Sequence, residues 1–119
     1  MKRTGWMIAV LLLPAANMAA AGEQFGVPVY PGAKYDEATT RSVMETMQVT
    51  AACYRTNDPV AKVAEFYRKQ GLERMGKVTA EVGFFQKGKV DVTLQTPWMD
   101  LKTGAMMRDT LITIVRNRF

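Results

Sequence analysis

Residues 56–71 constrain the fold more than any other stretch of this chain. Thr56-Asn57-Asp58-Pro59 is a helix start, with Asp58 placed to cap and Pro59 suited to the first helical position. Val60, Val63, Ala64 and Tyr67 then recur at helical spacing, with Phe66 beside them. Lys62, Glu65, Arg68 and Lys69 occupy the remaining positions. Glu65 and Lys69 form an i,i+4 pair worth ~0.2–0.5 kcal/mol. Gly71 stops the helix, because glycine takes the left-handed backbone that ends one. A helix over about 59–70 with one apolar stripe must bury that stripe against something else.

The rest of the chain supplies a sheet for it. Val49 to Tyr54 reads as a strand, with Val49, Ala51 and Cys53 on one face and Thr50, Ala52 and Tyr54 on the other. Lys77 to Gln86 contains a second, with Phe84-Phe85 near its end, and Lys87-Gly88-Lys89 is a hairpin turn. Val90, Val92 and Leu94 alternate with Asp91, Thr93 and Gln95 in the third, which Pro97 ends. The fourth runs from Asp109 to Arg116. Between them, Trp98 to Met107 reads as a long connection with a turn at Thr103-Gly104. Asp36 to Met47 reads as a short helix on the spacing of Val43, Met44 and Met47, with Asp36 and Glu37 at its N-terminus. Gly22 to Gly26 reads as a mobile polar leader, and Val27 to Ala33 as an extended segment or edge strand entering a turn at Pro31-Gly32. The expected fold class is α+β. A four-stranded, mainly antiparallel sheet carries the main helix (about 59–70) on one face, with a short helix before it.

The N-terminus predicts export. Lys2-Arg3 is a basic start, Trp6 to Leu13 an apolar run, and Ala15 to Gly22 a tract of mostly small residues. That order is the pattern of a secretory signal peptide. Ala19-Ala20-Ala21 fits the small pockets of the peptidase, which places cleavage after Ala21. Residues 1–21 are therefore read as signal peptide and 22–119 as one small domain. The apolar run is about half the ~20 residues a spanning helix needs, and no other stretch reaches that length. The only cysteine is Cys53, so no lipid-bearing cysteine follows the cut. The pattern points to a bacterial protein of the periplasm or the medium.

Composition removes several chemistries. Without the signal the chain carries fourteen basic and eleven acidic residues, interleaved and without a basic stripe, so no nucleic-acid partner is expected. It has no histidine, which removes Ser-His-Asp and Cys-His catalysis, imidazole metal sites and c-type haem attachment. One cysteine allows no internal disulfide. No catalytic residue, cofactor or metal ligand is assigned, and the chain is read as a non-enzyme.

Tyr30-Pro31-Gly32-Ala33, Thr56-Asn57-Asp58 and Phe66-Tyr67 carry a resemblance. The chain resembles small exported bacterial α+β proteins of unknown function. Those have a YPGA turn near the mature N-terminus and a helix that contains an FY pair. The resemblance covers most of residues 27–116 and implies the same α+β fold; it implies no catalytic residue.

The cluster Trp98, Met99, Asp100 and Arg108, with Asp109 adjoining, is the candidate binding loop, since function concentrates in loops. Trp98 is read as closing the end of the core rather than as an exposed anchor. Cys53 is read as a buried small hydrophobe. Six methionines follow the signal, and Met44-x-x-Met47 has a spacing that soft Cu(I) sites use, but it is read as the buried face of a short helix. Glu81 and Asp91 are read as surface charge. The expected function is an exported, non-catalytic domain that binds an envelope protein or a small ligand through one sheet face or the 97–108 loop. The alternatives are a small envelope enzyme without histidine chemistry and a methionine-based copper carrier.

Overall fold

The structure is a computed structural model that describes residues 20–117. The signal peptide expected over 1–21 lies almost wholly outside the described residues. In chain order the elements are β1 (Glu23–Gln24), β2 (Val27–Pro28), β3 (Lys34–Tyr35), α1 (Glu37–Met47), β4 (Thr50–Thr56), α2 (Val60–Lys69), β5 (Glu73–Arg74), β6 (Val82–Lys87), β7 (Val90–Gln95), β8 (Trp98–Met99), β9 (Met106–Met107) and β10 (Thr110–Arg116). Over the described residues the fold is a mixed α+β arrangement of two helices and one large antiparallel sheet.

That sheet has six strands in the order β3-β4-β10-β7-β6-β5, not four. The four long strands are those expected. The two added edges, β3 and β5, are two residues each, too short to show any alternation in sequence. Two further pairs, β1–β2 and β8–β9, stand apart from it. Gly22 to Gly26 is thus no free leader: Gln24 pairs with Val27, and Val29 N–H donates to the Gly22 carbonyl at 2.8 Å. The connection over 98–107 folds back on itself as the β8–β9 hairpin, because Asp100 accepts from the amides of Lys102 and Thr103 and closes the turn. β6 begins only at Val82, since the Thr79 hydroxyl accepts from the Glu81 and Val82 amides and holds the preceding residues in a turn.

Both helices form where the pattern placed them. α2 starts differently, however. Its N-cap residue is Pro59, without a side-chain cap, and the Asp58 carboxylate accepts instead from the Tyr30 hydroxyl at 2.6 Å. α1 is capped by Asp36, whose Oδ1 accepts from Thr39 N–H at 3.0 Å. It ends at Gln48, which takes a left-handed φ of 57° and donates its N–H to Met44.

The register sorts the sheet into two faces. Ile112 and Ile114 lie opposite Tyr54 and Ala52 on one side and Leu94 and Val92 on the other. Opposed residues share a face. α2 covers that face with Val60, Val63, Phe66 and Tyr67, which are fully buried or nearly so. Tyr30 meets Phe66 edge-to-face at 5.4 Å. The second face carries Leu111, Thr113 and Val115, opposite Arg55, Cys53 and Ala51 on β4 and Gln95, Thr93 and Asp91 on β7. Phe84, opposite Thr93, extends it to β6. A smaller cluster of Val43, Ala51, Cys53, Trp98 and Leu111 covers only part of this face.

Candidate functional site

The second sheet face is roofed from two sides and open between them. α1 lies over the β4 side and brings Thr39, Val43 and Met47 to it. The β8–β9 hairpin lies over the other end and brings Trp98, Met99 and Leu101. Between these walls is a groove of about 390 Å³, floored by Thr93, Gln95, Leu111, Thr113 and Val115. A second depression of about 380 Å³ adjoins it, lined by Met75, Phe84, Gln86 and Asp91, and again by Thr93. Thr93 is therefore the shared sill of two hollows that follow one another from β10 across β7 to β6.

The rims are apolar and exposed. Met47 is 60 % exposed, Met99 and Leu101 53 %, and Phe84 44 %. Met75 and Met106 are exposed as well, Met106 opposite Met99 on the hairpin. A folded chain ordinarily tucks such side chains under a neighbouring element, and clusters of them mark interaction surfaces. The floor of the first hollow mixes two threonines and Gln95 with Leu111 and Val115 and carries no charge. Asp91 in the second shares its carboxylate between the Gln86 and Asn117 amides, at 3.0 and 2.9 Å.

One cluster fixes the walls. Asp109 accepts from the Trp98 indole N–H at 3.0 Å through one oxygen and from Arg55 Nε at 2.7 Å through the other. The Arg55 guanidinium lies over the Trp98 ring, 5.1 Å from its centroid. Its second arm reaches Asp36 at 3.3 Å. The Asp109 hydrogen bond and charge raise the pKa of Arg55 against its partial burial. Burial alone would raise the pKa of Asp36, but the Thr39 amide and Arg55 together hold it below the usual carboxylate value.

The candidate loop of the sequence divides on inspection. Trp98 is buried, 2 % exposed, and closes the end of the small core. Met99 is on the groove wall. Asp100 is spent on the hairpin turn, and Arg108 is exposed, its carbonyl accepting from the Thr96 hydroxyl. Leu101, Phe84 and Arg55 were missed. Leu101 and Phe84 matter through their exposure, which sequence does not display, while Arg55 stood in plain view as the one charge in its strand. Cys53 is a free, fully buried thiol, and burial pushes its pKa up, so it is not poised as a nucleophile. Glu81 lies outside β6, and Asp91 faces Gln86, so the two carboxylates are not paired.

Among the described residues, no group of three or more His, Cys, Asp or Glu is arranged to hold a metal ion, and no helix is long and apolar enough to cross a membrane. No family model matches the chain, and no curated protein and no solved structure is detectably similar to it.

Proposed function

We propose that this chain is an exported, non-catalytic domain that binds a partner protein by seating an amphipathic segment of it across the open sheet face. The observation that carries the reading is the pair of adjoining hollows, about 390 and 380 Å³, that share Thr93 and are rimmed by exposed methionine, leucine and phenylalanine. Each is of ligand-binding size. A small molecule is best held by one enclosed cavity. Two open hollows in line match the successive apolar anchors of a helix or strand laid in a groove. Thioether side chains are flexible and polarisable, so a methionine rim adapts to such anchors. The threonine hydroxyls and the Gln95 amide on the floor offer hydrogen bonds without asking the partner to bury a charge. The absence of histidine and the burial of the lone thiol leave the groove without an acid–base or nucleophilic pair, which favours binding over catalysis. The signal pattern and the resemblance to small exported bacterial proteins support a partner in the periplasm or outside the cell.

The test is site-specific photocrosslinking in cells that export the protein. A benzophenone side chain at position 101 or 84 reports the groove; one at position 69, on the exposed side of α2, is the control. Discrete protein adducts from 101 and 84 but not from 69, mapped to a partner peptide with one apolar face, are expected. Equal labelling from all three positions would remove the reading. Adducts of lipid at 101 in place of peptide would transfer the groove to a small ligand. Cu(I) binding lost on replacing Met47 and Met99 would transfer it to a metal carrier.

A further inference from the structure

We infer that Arg55 sets the width of the groove by tying its two walls to one guanidinium. This deepens the proposed binding role and rests on it for its purpose, though not for its geometry. A single guanidinium on the sheet reaches Asp36, the residue that caps α1, and Asp109, which also binds the indole of the hairpin's Trp98. Lys34 is Arg55's cross-strand partner on β3. The two arms are unequal. The hairpin is held by a 2.7 Å hydrogen bond, by the indole bond to the same carboxylate, and by the guanidinium over the ring. Arg55 reaches α1 through one 3.3 Å contact to Asp36. The start of α1, which carries Thr39 and Val43 into the groove, is also fastened to β4 directly: Asp36 N–H donates to the Cys53 carbonyl at 2.9 Å, and Cys53 N–H donates to the Thr40 hydroxyl at 2.8 Å. Hydrogen bonds to charged groups weaken as they lengthen, so the Asp36 arm is the weaker of the two. Removing Arg55 therefore loosens both walls, the hairpin more than α1. Arg55 is a positioning residue: it lines neither hollow and acts through the two acids.

Asp36 allows a clean separation of this clamp from the helix cap. Asparagine caps a helix about as well as aspartate, so Asp36→Asn keeps the acceptor for Thr39 N–H and removes the charge that Arg55 holds. Hydrogen exchange is measured by mass spectrometry on the full chain as exported, for the wild type, Asp36→Asn and Arg55→Gln. Binding of N-phenyl-1-naphthylamine, an uncharged apolar fluorophore, is measured on the same samples. The expected result is faster exchange over 37–47 alone in Asp36→Asn, and over both 37–47 and 98–107 in Arg55→Gln. Dye affinity should change by about fivefold or more in each, the scale of a coupling near 1 kcal/mol. Faster exchange spread evenly over the chain, or walls that exchange at wild-type rates in both variants, would overturn the clamp. Asp36→Asn loosening the hairpin rather than α1 would overturn the assignment of the two arms. Failure of the wild type to bind the dye counts against the proposed groove function and leaves exchange to decide the clamp.

Discussion

The Tyr30 hydroxyl donates to Asp58 Oδ2 at 2.6 Å, joining the Tyr30-Pro31-Gly32-Ala33 turn to the start of α2. The turn is closed by Ala33 N–H on the Tyr30 carbonyl, with Gly32 at a φ of 83° that favours glycine. Two short motifs 28 positions apart are thus one structural unit. Burial, then the hydrogen bond and negative charge of Asp58, push the tyrosine pKa upward, so the phenol keeps its proton across the working range. Tyr30→Phe leaves the ring to pack on Phe66 and removes only this bond. A loss of about 1–2 kcal/mol in urea unfolding is expected, between a neutral hydrogen bond and one to a charge. A change within error would mean that water replaces the tyrosine at Asp58.

A second bond closes the open edge of the sheet. Thr40 is buried within α1, and its hydroxyl accepts from Cys53 N–H at 2.8 Å. β3 covers only Arg55 and Tyr54 of β4, so the amide of Cys53 lies beyond its end. Thr40→Val keeps the shape and strands a buried donor, which costs about 1–3 kcal/mol. Thr40→Ser should recover most of it, as read from the urea midpoint at unchanged slope.

How much of this was legible follows from how local each signal is. α2 was readable because cap, stripe and stop all lie within 16 residues. The burial of Trp98 followed from its size. The four long strands showed their alternation, whereas β3 and β5 had no room to show any. The pairing of Arg55, though not the residue, was opaque for another reason: its two acids lie 19 and 54 positions away, and only the folded sheet brings them together. The groove was half legible. Sequence pointed to Trp98 and Met99 but placed the emphasis on the tryptophan, when the exposed side chains beside it form the wall.

The acid side of the stability profile should carry Asp36's signature. Its pKa is lowered in the folded state, so its contribution is complete above the unfolded value near ~3.9 and is lost as pH falls through the folded one. Wild type should therefore lose more stability than Asp36→Asn as pH is taken from about 5 to below 4. Parallel losses in the two proteins would show that the Arg55 contact does not hold the charge in solution.

The processed N-terminus is checked by intact mass. Cleavage after Ala21 leaves Gly22, and the hydrogen bond from Ala21 N–H to the Val29 carbonyl goes with the signal. The reciprocal bond, Val29 N–H to the Gly22 carbonyl, stays and keeps the β1–β2 pair closed. The exported protein should have the mass of residues 22–119. A mass that retains the first 21 residues would refute export by a cleaved signal.

The groove rim should be separable from the fold. Leu101 and Phe84 are about half exposed and outside both buried clusters, so a lysine at either site removes little that holds the chain together. Surface changes of this kind stay within about 0.5 kcal/mol. Each lysine nevertheless places a charge at the mouth of a hollow, where an apolar anchor would have to strip its water. Leu101→Lys should abolish crosslinking from position 84 as well as binding of the naphthylamine dye, because the two hollows share Thr93 and one occupant spans them. If Leu101→Lys empties only its own hollow and crosslinking from 84 persists, the two are independent sites. The single-segment occupant would then have to be given up.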